Sequence, residues 1–259
     1  MGENLRDLKA SGAAKLSGGA YRDVDVSGSA HISGDIVCEN FGASGSVRVL
    51  GGVNSSLFRV SGSARVEGNV STREFRASGS ASVDGNLDAK EAHASGSVKA
   101  EGNITVENEL RVSGSGSFGG PIRARTVRST GSLKAAKGIE CEALTLAGAF
   151  DVDGLINAGT ADIELAGQSH LDEIGGERIT VRKKGVLSVL GISLPFGLGG
   201  FLTANTIEAT GVSLEATRAK VVRGAEVFIG VDCEIDRVEY SKTLDVAEGA
   251  IVREKVKVD

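Results

Sequence analysis

The feature that most constrains this 259-residue chain is a repeat of seventeen residues. The segment from Arg59 to Asn103 reads RVSGSARVEGNVSTREF, RASGSASVDGNLDAKEA and HASGSVKAEGN. Each copy has a Ser-Gly-Ser triplet, a second glycine six residues after the first, and an asparagine after that second glycine. A fixed period in this range is typical of solenoids and related arrays, so it bears on the architecture before any local motif does.

The glycine of the triplet, which we call the marker glycine, recurs over most of the chain at spacings of 16 to 19 residues. Its positions are Gly12, Gly28, Gly45, Gly62, Gly79, Gly96, Gly114, Gly131, Gly148 and Gly167. Between markers, apolar and polar residues alternate, which is the pattern of strands with one buried face. The repeat predicts an all-β fold, a parallel β-helix (solenoid) with coils of about 17–19 residues. We attribute the glycines to corners where the backbone turns with positive φ.

Stacked coils place equivalent residues in columns, with neighbours separated by the strand spacing of about 4.8 Å. We therefore expect Phe41, Phe58 and Phe75 to stack as an aromatic ladder. A column of asparagines is expected to pair amide to amide. Its members are Asn69, Asn86 and Asn103.

The repeat divides the chain into four segments. They are an N-terminal tail (1–10), β-helix repeats (11–184), an apolar uncharged loop (185–207) and C-terminal β-helix coils (208–259). In the last segment Gly211, Gly230 and Gly249 recur at a spacing of 19, which indicates that the solenoid resumes after the loop.

The loop is the least typical stretch, because none of its 23 residues is charged. A membrane-spanning helix needs about 20 apolar residues, and here Pro195 and several glycines interrupt the run. Three interpretations stay open: a loop packed against the coils or a partner, a shallow contact with a membrane surface, and, least favoured, a true membrane span. The residues expected to make either of the first two contacts are Leu194, Phe196, Leu198 and Phe201.

Composition and motifs argue against several classes of function. The net charge of −5 argues against nucleic acid as a partner, because no basic face is evident from the sequence. No phosphate-binding loop, dinucleotide fingerprint or nucleophile elbow is present, so we expect no cofactor. The histidines, His31, His93 and His170, lie far apart in the repeat, so we expect no metal site.

The three cysteines favour a reducing compartment. Cys38 and Cys141 share one inward position but lie six repeats apart, so they cannot pair within one stack, and Cys233 is distant from both. They are typical of small core residues in an intracellular protein. The N-terminal residues also lack an apolar signal region, so we expect a cytoplasmic protein.

A column of carboxylates raises an enzymatic alternative. Glu67, Asp84 and Glu101 occupy one repeat position, and β-helix glycosidases and lyases place stacked carboxylates in a groove. The competing interpretation is a solvated ladder balanced by the neighbouring cations Arg48, Arg65 and Lys99. No aromatic sugar platform accompanies the acids, so we expect no enzyme. A carbohydrate-active β-helix enzyme or a glycan-binding rod is the alternative function.

Two segments carry a resemblance to a known family. The sequence DEIGGERITVRKK precedes the loop and LEATRAKVVRGAEVFIGVDCEIDRVEY follows it. Together with the repeats, they resemble the bactofilin-type polymer-forming cytoskeletal proteins, most closely the longer form found in Gram-positive bacteria, over nearly the whole chain. The resemblance implies a β-helix that polymerises end to end into filaments without nucleotide, often on a membrane. The typical bactofilin is a shorter rod with disordered tails, whereas this chain has more coils and an internal loop.

Physical reasoning supports self-assembly independently of the resemblance. The terminal coils of a β-helix present open strand edges, and solenoids normally cap them with a polar or helical element. No amphipathic helix is evident at either end of this sequence. We therefore expect the chain to be its own partner, with the inner face of the cell membrane as a further contact. The residues expected at the polymer contacts are Leu16, Val24, Val26 and Ile32 at one end and Leu244, Val246, Ile251 and Val252 at the other.

Overall fold

The structure is a computed structural model that describes residues 5–183, 187–189, 192–194 and 200–259. The described chain is all-β and contains no helix; its strands pair in parallel from coil to coil, which makes it a β-solenoid. The predicted fold class is therefore confirmed. The chain divides into two compact units, Met1–Arg125 and Thr126–Asp259.

The strands of the first unit are β1 (Leu8–Ala10), β2 (Ala13–Ala20), β3 (Asp23–Val26), β4 (Ser29–Ala43), β5 (Ser46–Val49), β6 (Val53–Val60), β7 (Ser63–Val66), β8 (Val70–Ala77), β9 (Ser80–Val83), β10 (Leu87–Ala94), β11 (Ser97–Ala100), β12 (Ile104–Val112) and β13 (Ser115–Phe118). Strand β14 (Ile122–Ser129) includes the boundary between the units.

Each coil of the first unit combines a short strand and a longer one. In β7 every second residue is buried, and β8 starts and ends with the same alternation. The alternation breaks in the middle of β8, where Arg73 and Glu74 are consecutive residues outside the core. Because two successive residues point away from the interior there, the coil turns. Each coil therefore contributes three short faces, with two inward columns on each face.

Most marker glycines owe their position to the tight approach of successive coils, whereas a Cβ on Gly12 or Gly167 would meet no atom closer than 3.9 Å. A Cβ atom on Gly79 would lie 2.0 Å from the carbonyl oxygen of Gly62, and one on Gly62 would lie 2.1 Å from that of Gly45. Positive φ angles occur at other described glycines and, among the markers, at Gly148 alone. Our attribution of the corner glycines to positive φ therefore holds at Gly34, Gly148 and Gly154 and fails at the other described markers. Glycine is required because the neighbouring backbone occupies the space of a side chain.

A single methyl group at this position should therefore destabilise the fold. We expect Gly79→Ala to lower the free energy of unfolding by about 2–3 kcal/mol, because the overlap forces the two backbones apart. The matched control is Gly42→Ala, whose new Cβ would meet its nearest neighbour, the carbonyl oxygen of Val24, at an ordinary 3.7 Å. Urea unfolding of both variants measures the difference. Equal effects of the two substitutions would contradict the steric explanation.

The side-chain columns agree with one prediction and correct another. Phe41 and Phe58 stack with ring centroids 4.8 Å apart, and Phe58 and Phe75 stack at 5.2 Å, so the aromatic ladder is confirmed. The asparagine column bonds differently from our prediction. The side-chain oxygen of Asn69 accepts from the backbone N–H of Asn86 at 2.8 Å, and that of Asn86 accepts likewise from the next asparagine at 2.9 Å. These side chains therefore satisfy backbone donors at the corner instead of pairing with one another.

The strands of the second unit are β15 (Ser132–Ala135), β16 (Ile139–Leu165), β17 (Gln168–Lys183), β20 (Phe201–Leu214), β21 (Thr217–Ile229), β22 (Glu234–Val246) and β23 (Ile251–Lys257). Strands β18 (Leu187–Val189) and β19 (Ile192–Leu194) pair with each other in antiparallel fashion. One inward column runs through Ile207, Val222 and Val238, at successive spacings of 15 and 16 residues. The coils after the loop are thus shorter than the spacing of 19 that the glycines suggested, because those glycines do not share one column.

Two segment boundaries also differ from our predictions. The expected tail 1–10 ends earlier, since β1 (Leu8–Ala10) pairs in parallel with β3 and forms part of the first coil. The expected loop 185–207 ends earlier too, since residues 201–207 belong to β20 and pair with β17. In both places the alternation of side chains was too short to be recognised, but the register against the next coil defines the strand.

Candidate functional site

The outermost coil at the N-terminal side forms a layer that we call the N-face. It consists of the inward-pointing residues Leu8, Ala10, Ala14, Leu16, Gly19 and Tyr21. Leu8 and Leu16 are half-buried, whereas Ala10 and Tyr21 are buried. The outer edges of β1 and β2 have no strand partner among the described residues. The N-face is therefore an apolar layer bordered by free backbone hydrogen-bonding groups.

Three of the four residues expected at this end lie one coil deeper. Val24, Val26 and Ile32 are at most 1% exposed and belong to the core. They are covered by Leu8, Ala10 and Leu16, respectively, in the parallel register. Val24, Val26 and Ile32 therefore do not lie in the outermost layer, because β1 and β2 add a layer above them. Leu16 alone of the four lies in the outermost layer.

The N-face departs from the other coils at two adjacent columns. Gly19 pairs with Ile36 and so occupies a column that is aliphatic in the neighbouring coils. Tyr21 follows in the next inward column, and its ring is packed beside Gly19 in the space of the missing aliphatic side chain. Its hydroxyl donates to the carbonyl oxygen of Ser17 at 2.9 Å. The guanidinium of Arg6 lies over the ring, 5.7 Å from its centroid, so a cation of the same chain already contacts the Tyr21 ring.

The outermost coil at the C-terminal side forms a second layer, the C-face. Its inward columns end in Leu244, Val246, Val252, Lys255 and Lys257, which pair with Val227, Ile229, Ile235, Val238 and Tyr240 of the coil below. Leu244, Val246 and Val252 are half-buried, as expected for an apolar layer with one uncovered side. Lysines end the two columns that Gly19 and Tyr21 end on the N-face. The outer edge of β23 has no strand partner among the described residues.

Ile251 lies in a different place from the other three predicted residues of this end. It pairs with Glu234, whose column points away from the core, and it is 55% exposed. Because successive residues of a strand point to opposite sides, Ile251 and Val252 cannot both belong to the layer. Ile251 is therefore on the lateral surface of the last coil.

Ion pairs connect the last coils to one another. Glu239 accepts from Arg223 Nε at 2.8 Å and from Arg237 Nε at 2.7 Å, and Arg237 also reaches Glu254 of β23 at 3.2 Å. The hydrogen bonds from Arg223 and Arg237 hold the pKa of Glu239 below its usual value. Arg253 of β23 reaches back to Asp236 at 2.7 Å. These contacts hold β23 in register at the C-face.

The residues predicted for the apolar loop are separated by the structure. Leu194 ends β19, and Phe196 and Leu198 lie outside the described residues. Phe201 begins β20, where its backbone N–H donates to the carbonyl of Gly167, and its ring lies 4.4 Å from the guanidinium of Arg218. Phe201 is thus part of a coil and not of the loop, because it already follows the register of β17.

The carboxylate column is accompanied by the expected cations. Glu67 accepts from Arg48 Nε at 2.8 Å, and Asp84 accepts from Arg65 Nη2 at 2.8 Å. Glu101 forms an ion pair with a lysine of its own strand. Each carboxylate therefore has a cationic partner on the exposed lateral surface. Among the described residues there is no group of three or more His, Cys, Asp and Glu side chains able to hold a metal ion, and no helix long and apolar enough to cross a membrane.

The three cysteine thiols are protected by burial. Burial raises the pKa of Cys38 to about 12 and that of Cys141 and Cys233 to about 11. Because the thiolate is the nucleophile, alkylation by iodoacetamide at pH 8 should be at least about 100-fold slower in the folded protein than in urea. Mass spectrometry of quenched samples measures the three rates. A cysteine that reacts equally fast in both states would contradict its place in the core.

Several residues of the two faces could not be recognised from the sequence. Leu8, Tyr21, Lys255 and Lys257 lack the Ser-Gly-Ser marker that identified the other coils. The available signal was the repeat position. Leu8 pairs with Val24 and Val24 pairs with Phe41, so Leu8 belongs to the aromatic column.

Comparison with known proteins places the chain near two curated relatives. They are "Uncharacterized protein YhbE" and "Uncharacterized protein YhbF" of Bacillus subtilis (strain 168). The first is 39% identical over 109 residues, which cover 41% of this chain and 44% of the relative. The second is 38% identical over 106 residues, which cover 40% of this chain and 42% of the relative. The match thus spans less than half the length of either relative. No family model and no solved structure matches the chain.

Proposed function

We propose that this protein is a structural scaffold that assembles with further copies of itself, without nucleotide, by stacking coil upon coil. The observation that carries the proposal is the pair of outer layers, each with half-buried apolar side chains and strand edges that lack a partner in the described chain. Open edges recruit additional strands, and coils of a solenoid stabilise their neighbours. The resemblance of the sequence to the bactofilin-type cytoskeletal proteins supports the same function.

The two faces match each other column by column. Stacking the C-face of one copy on the N-face of the next brings residues of the same repeat position together. The aligned pairs are Leu244 with Leu8, Val246 with Ala10, Val252 with Leu16, Lys255 with Gly19 and Lys257 with Tyr21. Three of these pairs are apolar, and together they exclude water from both layers.

The lysines favour this head-to-tail direction. Two C-faces placed against each other would bring together two copies of Lys255 and two of Lys257, with mutual repulsion in a poorly hydrated layer. Against the N-face, Lys255 meets Gly19, beside which the ring of Tyr21 is packed, and Lys257 meets the column that Tyr21 ends. The head-to-tail arrangement also continues the parallel pairing of the coils. We therefore propose a polar filament.

Disulfide crosslinking tests the direction of assembly. Neighbouring parallel strands place equivalent Cα atoms about 4.8 Å apart, which is within the range of a disulfide. A mixture of the single variants Leu8→Cys and Leu244→Cys should form a crosslinked dimer on mild oxidation, whereas Leu244→Cys alone should not. Cys38 and Cys233 are buried and Cys141 is half-buried, and burial raises the pKa of all three thiols, so they form a low background.

Two outcomes would overturn the proposal at different levels. Crosslinking of Leu244→Cys with itself, at the rate expected of the mixture, would show that C-faces meet and that the filament lacks polarity. If sedimentation velocity and negative-stain microscopy without nucleotide show a monodisperse monomer at high concentration, the protein does not self-assemble and the whole proposal is wrong.

We further place this assembly in the cytoplasm, at the inner face of the cell membrane. The support is the uncharged sequence between Gly185 and Gly200 together with the three free, reduced cysteines. Replacing Leu194, Phe196 and Leu198 with serine should abolish co-sedimentation with lipid vesicles while filaments still form. Unchanged co-sedimentation of that variant would remove the membrane contact.

A further inference from the structure

A basic column runs along one side of the first unit. Arg59, Arg76, His93 and Arg111 occupy the same repeat position in four successive coils, each paired with the next in parallel register. At about 4.8 Å per coil, the four side chains span roughly 14 Å along the stack. The column therefore presents basic groups at a regular spacing in one direction.

These side chains line a groove and do not stand on a flat surface. The groove has a volume of about 540 Å³ and lies at the corner where each coil passes from its long strand to the Ser-Gly-Ser triplet. The other residues that line it are Ala77, Ser78, Ala94, Ser95 and Ser113. The serine hydroxyls add hydrogen-bond donors along the same direction as the cations.

Three members of the column have no intramolecular partner. Arg76 is neutralised by Glu74, whose Oε1 atom accepts from Arg76 Nε at 2.6 Å. In the coil of Arg59 the position equivalent to Glu74 is Leu57, so no carboxylate is available there. Among the described residues, the side chains of Arg59, His93 and Arg111 form no hydrogen bond or ion pair, whereas their backbones belong to the paired strands.

Two further carboxylates, Glu91 and Glu109, occupy the position of Glu74 in the next two coils, and Glu109 also has an interaction partner. Glu91, the equivalent of Glu74 in the coil of His93, accepts a hydrogen bond from Asn108 at 2.8 Å. Glu91 therefore points toward the next coil, and no carboxylate is among the residues that line the groove.

We infer that this groove binds a linear phosphate polymer that carries no bases. Guanidinium groups bind phosphate oxygens with two parallel N–H donors, and a row of them fits a chain with a regularly repeated charge. No aromatic side chain lines the groove, so nucleobases would find no surface on which to stack. A flat lipid surface would contact protruding side chains, whereas these line a concavity. The binding is independent of the proposed self-assembly, because the groove lies within one unit of one copy.

Calorimetric titration with inorganic tripolyphosphate at low ionic strength tests the inference. The double variant Arg59→Gln/Arg111→Gln should bind at least about tenfold more weakly, because each lost arginine removes a charge-assisted contact. The slope of log affinity against log salt should also become shallower by about two, one for each lost phosphate contact. The matched control is Arg73→Gln, which removes an exposed arginine of β8 outside the groove and should leave affinity within about twofold.

The remaining outcomes would overturn the inference. Two results would show that the column is an ordinary solvated surface and not a binding site. One is that the unaltered protein fails to bind tripolyphosphate, and the other is that Arg73→Gln weakens binding as much as the double variant does. Binding of phosphatidylglycerol vesicles but not of tripolyphosphate, lost in the double variant, would identify a lipid surface as the partner. Tighter binding of single-stranded oligonucleotide than of polyphosphate with equal charge would identify a base-containing ligand. Circular dichroism of each variant verifies that the coils are intact.

Discussion

Replacing Leu244 with glutamate is expected to abolish assembly at concentrations where the unaltered protein forms filaments. Leu244 ends an inward apolar column of the C-face, and head-to-tail stacking covers it with Leu8 of the next copy. A carboxylate at this position would lose its hydration without gaining a partner, at a cost of about 3 kcal/mol. Because about 1.4 kcal/mol corresponds to a factor of ten, the critical concentration should rise about 100-fold. Sedimentation at increasing protein concentration measures it.

The matched control for this experiment is Leu155→Glu. Leu155 is 54% exposed on the lateral surface of the second unit, away from the column of Leu244. It receives the same chemical change, so a general effect of added charge would appear in both variants. We expect Leu155→Glu to assemble as the unaltered protein does. If both variants assemble normally while remaining folded, the C-face is not the contact.

The interior of the fold was predictable because every coil repeats the same physical requirement. Alternation in a short segment such as Ser63–Val66 indicates a strand, and the period of seventeen aligns it with the equivalent strand of the next coil. The aromatic ladder followed from that alignment alone. The cause of the marker glycines did not, because the distance between one backbone and the next at Gly79 depends on coordinates and not on composition.

The outer layers were poorly predicted because terminal coils are under different constraints. A residue in a terminal coil is covered by a neighbouring coil on one side only. A lysine such as Lys255 or a glycine such as Gly19 can therefore occupy an inward position there without exposing the core. Such coils lose the marker triplet and the aliphatic columns by which the others were recognised. The strand β1 was missed for this reason, and Val24 was then assigned to the surface that Leu8 in fact covers.

The basic groove was missed because net charge averages over the whole chain. A charge of −5 conceals the fact that residues seventeen or eighteen positions apart become neighbours when coils stack. Arg59 and Arg76 are unremarkable in the linear sequence, and their alignment matters only once the register is known. In a solenoid, charge has to be summed by column and not by segment.

The second large effect is expected from Phe58→Ala in the aromatic ladder. Phe58 is fully buried and stacks on Phe41 at 4.8 Å and on Phe75 at 5.2 Å. Removing the ring leaves a cavity between two coils and breaks both stacking contacts, so we expect a loss of about 4 kcal/mol. Because each coil depends on its neighbours, the loss should appear as faster hydrogen exchange in β4, β6 and β8 together. Exchange in β20 and β21 of the second unit serves as an internal reference.

A conservative substitution separates the cavity from the loss of stacking. Phe58→Leu fills most of the volume but stacks on neither ring, so it should cost less than about 1.5 kcal/mol. If Phe58→Ala costs no more than Phe58→Leu, the coils close around the missing ring and the ladder adds little stability. If exchange accelerates equally in β6 and β20, stability is shared by the whole chain and not by neighbouring coils. Either result would show that the stack behaves differently from a series of layers, each stabilised by the next.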